Sequence, residues 1–219
     1  MKIAKNKIKI ITKEAKWTSW AELKALAEAG KLGEVLKSGD NIPVMLKNGE
    51  EVSFDIGKDE SGKIYFVMHN CLKETKPMNR GCTNKGGWEE CEMRKYLNEE
   101  VIKLLPDELQ EIIKPTKIVQ IWDGKRRETE DKLFLLSRTQ IFGKNEWYES
   151  IEPNDSQIDI FENPKECVKR THDYEASCYW WLLSPHPNNI TSFFLVGMDG
   201  MVSYDHAYRL HGVVPAFCI

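Results

Sequence analysis

The sequence has no apolar run approaching the roughly 20 residues that a membrane-spanning helix needs. Its lysine-rich start, from Lys2 to Lys9, leads into short alternation and lacks the apolar core of a signal peptide. It also lacks an excess of one charge, because 31 basic and 34 acidic residues leave a net charge of −3. We therefore expect neither a membrane nor a nucleic-acid partner.

Sequence patterns typical of catalysis are missing as well. No phosphate-binding loop, nucleotide-binding glycine pattern or nucleophilic triad signature is present. The six cysteines include no Cys-x-x-Cys pair, so we expect reduced, mostly buried thiols and no zinc ribbon. We interpret Cys178 and Cys218 as core residues, since a reactive thiol needs an exposed, electropositive setting. The sequence thus predicts no catalytic residue and no cofactor.

The histidines raise the question of a zinc-type metal site. His186, His206 and His211 could converge from neighbouring loops, but they lack the spacing of a zinc site. We expect contacts to a partner instead of metal ligation.

The first 38 residues differ from the rest of the chain. Short β-like alternation is followed by helical spacing between Trp17 and Leu36, with Thr18 or Ser19 as the cap. We predict an N-terminal strand and amphipathic helices over residues 1–38, packed on a domain that spans residues 39–219.

That larger domain begins with a β-meander. Ile42 to Leu46, Val52 to Ile56 and Ile64 to Met68 alternate around an Asn48-Gly49 turn, which predicts three antiparallel strands. Residues 89–105 and 106–113 then predict two central helices, with three glutamates in the first turn of the first helix. Residues 118–122 and 133–136 predict strands on either side of a charged, solvated loop, and residues 143–174 predict long surface loops with one short helix near Asp159.

The C-terminal forty residues are rich in aromatic side chains. Three β-like segments, Tyr179 to Pro185, Phe193 to Val202 and Gly212 to Phe217, are separated by polar loops that also carry rings. At least one ring of the Tyr179-Trp180-Trp181 run must point inward. Trp147 and Tyr148 lie in the non-periodic region and are expected to be exposed. The pattern is typical of a binding face on a rigid sheet.

Ordered motifs along the chain resemble a known family. They are Gly87-Trp88, Met93 to Asn98, Asp131 to Ser137, Trp180 to Pro185, Gly200 and Gly212 to Ala216. This order, over roughly residues 40–219, resembles domain-of-unknown-function family 6273 of gut bacteria and their phages. That family in turn is distantly similar to the C-type-lectin-like fold of the formylglycine-generating-enzyme type. The resemblance implies an α+β fold with antiparallel sheets, two central helices and long loops.

The resemblance also implies where a ligand would bind. In proteins of this fold, the last strands and loops carry the variable binding residues, and Asn, Ser, Tyr, Asp and His are favoured in binding surfaces. Together with Trp147, the equivalent residues here are Asn188, Asn189, Thr191, Ser192, Tyr204, Asp205, His206, Tyr208 and Arg209. Two positions depart from the family pattern, because Leu183 and Val214 stand where the motifs carry arginine. We expect both positions to be interior.

Lectins of this type suggest a search for calcium ligands. Glu152-Pro153-Asn154-Asp155 is similar to their sugar-binding signature, but too few downstream oxygen ligands follow it. We interpret this segment as a Pro-Asn turn in a loop.

These observations favour a non-enzymatic protein of bacterial or phage origin that binds a protein or a small molecule through its C-terminal loops. One alternative is a phage-encoded inhibitor of a host defence system. Another is an enzyme with a cryptic metal or cysteine site. We expect a location in the host cytoplasm, or on the virion if the protein is a phage structural component, and the sequence leaves the oligomeric state open.

Overall fold

A computed structural model describes residues 17–145 and 151–219, and these residues form an α+β fold with antiparallel sheets. The predicted N-terminal strand, Trp147 and Tyr148 lie outside the described residues. The α-helices are α1 Trp20–Glu28, α2 Leu32–Val35, α3 Glu92–Glu99, α4 Asp107–Ile112, α5 Arg138–Phe142 and α6 Pro164–Cys167. Short 3₁₀ turns span Val101–Leu104 and Asp159–Phe161. None of the helices in the described ranges is long and apolar enough to cross a bilayer.

The strands are mostly short, and each pairs with its neighbours in antiparallel register. They are β1 Asn41–Met45, β2 Glu51–Lys58, β3 Ile64–Met68, β4 Thr116–Trp122, β5 Lys125–Asp131, β6 Lys169–Arg170, β7 Ser177–Cys178, β8 Trp180–Pro185, β9 Ser192–Val196, β10 Val202–His206 and β11 Ala216–Phe217. They form sheets in the orders β1-β2-β3-β11, β10-β9-β8, β4-β5 and β6-β7.

The N-terminal helices form as predicted. Ser19 caps α1 by accepting a hydrogen bond from the backbone N–H of Glu22, at 3.2 Å. Trp20 and Leu23 face inward and join the same hydrophobic core as the first sheet. This packing stabilises a helix of only nine residues, which would be marginal alone.

The first sheet confirms the predicted three-stranded meander. Gly49 adopts a φ of +88° in the turn between β1 and β2, where any other residue except Asn or Asp would be strained. The last strand of the chain, β11, then pairs with β3, placing Phe217 against Phe54 and Phe66. The C-terminus therefore closes the sheet that begins at residue 41.

The two central helices are confirmed, although α3 begins later than predicted. Glu89 and Glu90 precede the helix and do not occupy its first turn. They bind Arg127 instead, with Nη1 of Arg127 at 3.0 Å from Oε1 of Glu90. Met93 and Leu97 are buried, as their spacing predicts.

Predictions for residues 125–136 were wrong. The charged segment is not a solvated loop but strand β5, paired with β4 through a tight turn at Asp123-Gly124. Arg127 has only 10% of its side chain exposed, because three carboxylates surround it. Residues 133–136 form no strand and contribute one bridge, between Phe134 and Ala216. The run of charged residues suggested a solvated loop, but in the strand these side chains pair with side chains of neighbouring elements.

The second sheet carries the aromatic C-terminal segments. Every residue of β8 and β9 is buried, whereas β10 is partly exposed at the sheet edge. Trp180 and Trp181 are both buried, and each indole N–H donates a hydrogen bond to a backbone carbonyl, so neither buried donor is left unpaired. Leu183 and Val214 are interior as well, as expected.

Residues 151–174 contain only short elements, and the helix predicted near Asp159 is the 3₁₀ turn at Asp159–Phe161. The tip of the β9-β10 hairpin packs on α6. Gly200 has a φ of +81°, and a Cβ atom there would overlap the carbonyl oxygen of Pro164. The exposed edge of the second sheet is thereby fixed to the body of the domain.

Candidate binding surface

Two segments of the C-terminal region lie side by side at one end of the second sheet. The first, residues 186–192, connects β8 to β9, and the second, residues 204–211, comprises the end of β10 and the turn that follows it. We call these two segments together the rim. It contains all the predicted binding residues except Trp147.

Direct hydrogen bonds join the two segments. Thr191 Oγ1 lies 2.9 Å from His206 Nδ1, and the backbone N–H of Ala207 donates to the carbonyl of Thr191 at 2.8 Å. Asn189 Oδ1 accepts from both the N–H and the hydroxyl of Thr191. The imidazole of His206 in turn stacks on Tyr208, with ring centroids 5.8 Å apart. Residues predicted as separate loop contacts therefore form one continuous surface.

A second aromatic group lies beside it. The ring of His186 is 4.4 Å from that of Tyr204 and 4.9 Å from that of Phe194, measured between centroids. Burial holds the pKa of His186 below its usual value. His186 is therefore mainly neutral at pH 7, and its uncharged ring packs beneath the exposed Tyr204 ring.

The opposite end of the rim contains a hydrogen-bonded histidine–aspartate pair beside an open depression. His211 Nε2 lies 2.8 Å from Asp205 Oδ2, and the His211 ring packs edge-on against Trp181. Burial acts to raise the pKa of Asp205, but the His211 hydrogen bond and other partners outweigh it, so that pKa lies below its ordinary value. The depression, of about 530 Å³, is lined by Asp205, Tyr208, Arg209, Leu210 and His211.

A buried asparagine supports the rim from below. Asn84 has 2% of its surface exposed, and its amide Nδ2 lies 3.2, 2.9 and 2.8 Å from the carbonyl oxygens of His186, Asn189 and Ser192. Its backbone N–H also donates to the carbonyl of Ile190. Sequence reasoning missed Asn84, because nothing in its local sequence relates it to carbonyls more than 100 positions later.

Large apolar side chains are exposed on the rim. Within the described ranges they are Ile190, Tyr204, Tyr208 and Leu210, whereas the exposed Met198, Met201 and Val202 lie at the tip of the β9-β10 hairpin, at the opposite end of the sheet. Ile190 is 78% exposed and Leu210 is 63% exposed. A group of this kind on a folded domain is typical of an interaction surface.

The predicted residues differ in how accessible they are. Tyr204 and Tyr208 are 54% and 42% exposed, and Asn188 and Arg209 are also exposed. Asn189, Thr191, Asp205 and His206 are half-buried and mainly hold the surface together. Ser192 is buried, at 1% exposure, so although it belongs to the rim it offers no surface to a partner.

The segment that resembled a calcium signature is a turn in which only the first residue, Glu152, is buried. Glu152 is buried, and it accepts hydrogen bonds from the backbone and hydroxyl of Thr139 and from the hydroxyl of Ser184. Burial raises the pKa of Glu152, and burial together with the charge of Glu152 raises the pKa of Asp155 to about 7. The predicted Pro-Asn turn is confirmed, because Pro153 and Asn154 are exposed and the backbone N–H of Asp155 donates to the carbonyl of Glu152 at 3.2 Å. The described part of the chain contains no group of three or more His, Cys, Asp or Glu side chains placed to hold a metal ion.

The motif residues bind one another across the domain. Asp131 accepts hydrogen bonds from the Trp88 indole at 2.9 Å, the Arg94 guanidinium at 2.7 Å and the Thr129 hydroxyl at 2.7 Å. Asn98 donates to the carbonyl of Leu133. These motifs thus build the scaffold and lie apart from the predicted binding residues.

Comparison with known families supports the family resemblance that the motifs carry. The model of a family described as Domain of unknown function (DUF6273) matches residues 62–219, and the chain belongs to that family. The match begins after β2, later than the residue 40 expected from the motifs. Neither the curated proteins nor the solved structures contain a significant match to the chain.

Proposed function

We propose that this protein is a non-enzymatic binding protein and that the rim is its binding surface. The observation that carries the proposal is the group of exposed apolar side chains on the rim, Ile190, Tyr204, Tyr208 and Leu210, beside half-buried polar groups. Exposed tyrosines add large, rigid contact area at a low cost in conformational entropy. Both features are typical of surfaces that bind another macromolecule.

The shape of the rim favours a protein partner over a small molecule. Small-molecule sites are usually concave and enclose most of their ligand. Here the depression at Asp205 and His211 is open, and Tyr204, Tyr208 and Leu210 project from the surface beside or around it. A protein partner could insert one side chain into the depression and cover the tyrosines at the same time.

The rim is also preorganised for binding. Its carbonyls are held by the buried Asn84, and His186 supports Tyr204 from below. A surface that is already ordered loses less entropy on association. This favours recognition by a largely preformed face over folding upon binding.

We further propose that the scaffold is C-type-lectin-like and that the protein is of bacterial or phage origin, acting in the host cytoplasm or on the virion. The support for the scaffold is the family resemblance, together with a rim formed by the last strands and their loops. The resemblance implies that the variable binding residues lie on these same last strands and loops.

A matched pair of variants tests the function. The rim variant Tyr204→Ala/Tyr208→Ala removes two exposed rings, and the control Met45→Ala removes a side chain that is 47% exposed on β1. Asp205 and His206 are left intact because they hold His211 and Thr191. Each protein is immobilised and incubated with a lysate of cells that carry the gene, and bound proteins are identified by mass spectrometry.

We expect a protein that is captured by the wild type and by Met45→Ala but not by the rim variant. Because central aromatic contacts contribute about 2 kcal/mol or more each, the purified partner should bind the rim variant at least about 100-fold more weakly. Equal capture by all three proteins would contradict the assignment of the rim. Binding of metabolites by the wild type alone, followed by thermal shift, would favour a small-molecule ligand.

A further inference from the structure

Two cysteines that are distant in the sequence meet behind the rim. Cys71 follows β3, and Cys178 is the last residue of β7. Their sulfur atoms lie 2.6 Å apart, and both are thiols in the structure. Backbone hydrogen bonds hold Cys71 in place, since its N–H donates to the carbonyl of Arg170.

The two thiols have different environments. Cys71 is buried at 4% exposure, whereas Cys178 is only half-buried and can be reached from solvent. The hydrogen bond from Cys71 lowers the pKa of Cys178, and the nearby charge of Lys169 lowers it further against the effect of burial. That same contact, together with burial, raises the pKa of Cys71. Cys178 thus combines partial exposure, a lowered pKa and a partner sulfur 2.6 Å away, which is the arrangement of a reactive cysteine with a resolving thiol beside it.

Cys178 packs against the core as expected but is only half-buried, whereas Cys218 is buried as predicted. Two other cysteines show the contrasting, inert setting. Burial raises the pKa of Cys91 to about 12 and that of Cys167 to about 11.

We propose that Cys71 and Cys178 are a modification site at which peroxide forms a reversible intramolecular disulfide. The Cys178 thiolate attacks one oxygen of hydrogen peroxide, the O–O bond breaks, and a sulfenic acid and hydroxide result. The Cys71 sulfur then attacks the Cys178 sulfur, the S–O bond breaks, and the hydroxyl leaves as water with the Cys71 proton. Overall, the two thiols lose two electrons in total. The hydroxide takes up the proton that Cys178 released, so one peroxide is reduced to two waters. A small dithiol reverses the step by thiol–disulfide exchange.

The location of the pair connects this chemistry to the rim. Gly212 packs directly on Cys71, so that a Cβ atom at residue 212 would collide with the Cys71 sulfur. The N–H of Gly212 donates to the carbonyl of Tyr179 at 2.8 Å, next to Cys178. A disulfide would therefore fix the segment after β3 to β7, directly against Gly212 and next to Tyr179, which border the rim. The inference goes beyond the proposed binding function and does not depend on it.

The cross-link would join residues 107 positions apart. Closing a loop of this length constrains the unfolded chain strongly, and for a domain of this size we expect the melting temperature to rise by roughly 10–15 °C.

The test uses the full chain in native buffer, with Cys82→Ser as a background variant because Cys82 is exposed and could link two molecules. The protein is treated with hydrogen peroxide, denatured, alkylated and digested without reduction. We expect a peptide pair linked through Cys71 and Cys178, an intact mass lower by two hydrogen atoms, and the raised melting temperature. Dithiothreitol should reverse all three.

Cys178→Ser is the matched control and should show none of these changes after peroxide treatment. Full alkylation of both Cys71 and Cys178 after oxidation would overturn the proposal, and so would a linkage through a different pair. Because the peptide map is read on protein with both cysteines present, the result stands even if Cys178→Ser fails to fold.

Discussion

Replacing Asn84 with alanine tests how the rim is held. The amide Nδ2 of Asn84 has two N–H groups, and it faces the carbonyl oxygens of His186, Asn189 and Ser192 at 2.8 to 3.2 Å. Alanine keeps the backbone hydrogen bond to Ile190 but removes these donors. Each lost bond costs about 0.5–1.5 kcal/mol, and buried carbonyls left without a donor add to this. We expect a loss of about 2–4 kcal/mol in the free energy of unfolding.

Two assays separate the global effect from the local one. Differential scanning calorimetry should show a melting temperature lower by roughly 5–15 °C. Hydrogen–deuterium exchange should show faster exchange at residues 186–192, where the amides of Asn189 and Ser192 donate to carbonyls that Asn84 also binds.

Asn79 provides the matched control. It is also buried, and its side chain donates to the carbonyl of Thr83 and accepts from the N–H of Glu92, but it makes no side-chain hydrogen bond to residues 186–192. Asn79→Ala should therefore lower the melting temperature without faster exchange in that loop. If Asn84→Ala leaves exchange at residues 186–192 unchanged, Asn84 does not order the rim and the reasoning is refuted.

Three further substitutions test the interior. Asp155 holds its proton up to about pH 7 in the fold but only to about pH 4 when unfolded, so the free energy of unfolding should fall as the pH rises through this window. In urea titrations at pH 4 and pH 8, Asp155→Asn should remove up to about 4 kcal/mol of that fall. An unchanged pH profile in the variant would exclude a raised pKa of Asp155. Gly200→Ala should lower the melting temperature by several degrees, since a Cβ atom overlaps the Pro164 carbonyl; a neutral effect would show that the hairpin is not fixed there. Leu183→Arg, which introduces the arginine that the family resemblance implies at this position, should cost about 3–5 kcal/mol or prevent folding, because the charge would be buried without a partner. Wild-type stability of this variant would instead reveal a partner for the charge.

Local patterns predicted much of the scaffold. The Asn48-Gly49 turn, the Ser19 cap and the spacing of Met93 and Leu97 each identified an element that the structure contains. These signals depend on neighbours within a few positions, and the physical reason for each is local. Strand β5 was missed because its charged residues look solvated until Glu89 and Glu90, nearly forty positions earlier, are placed beside Arg127.

The candidate site could be predicted only in part, for a similar reason. Tyr204, Tyr208 and Arg209 are exposed at the rim, as the resemblance implied. Ser192 and Asn84 depend on contacts across more than 100 positions, and so does the meeting of Cys71 and Cys178. Such contacts follow from the topology of the fold, which single-sequence patterns do not encode.

The measurement that tests the central claim most directly is hydrogen–deuterium exchange of the protein alone and in complex with its captured partner. The rim assignment predicts slower exchange on binding at residues 186–192 and 202–211, with little change in β1 and β2. Protection confined to the first sheet or to α1, with unchanged exchange at the rim, would contradict it.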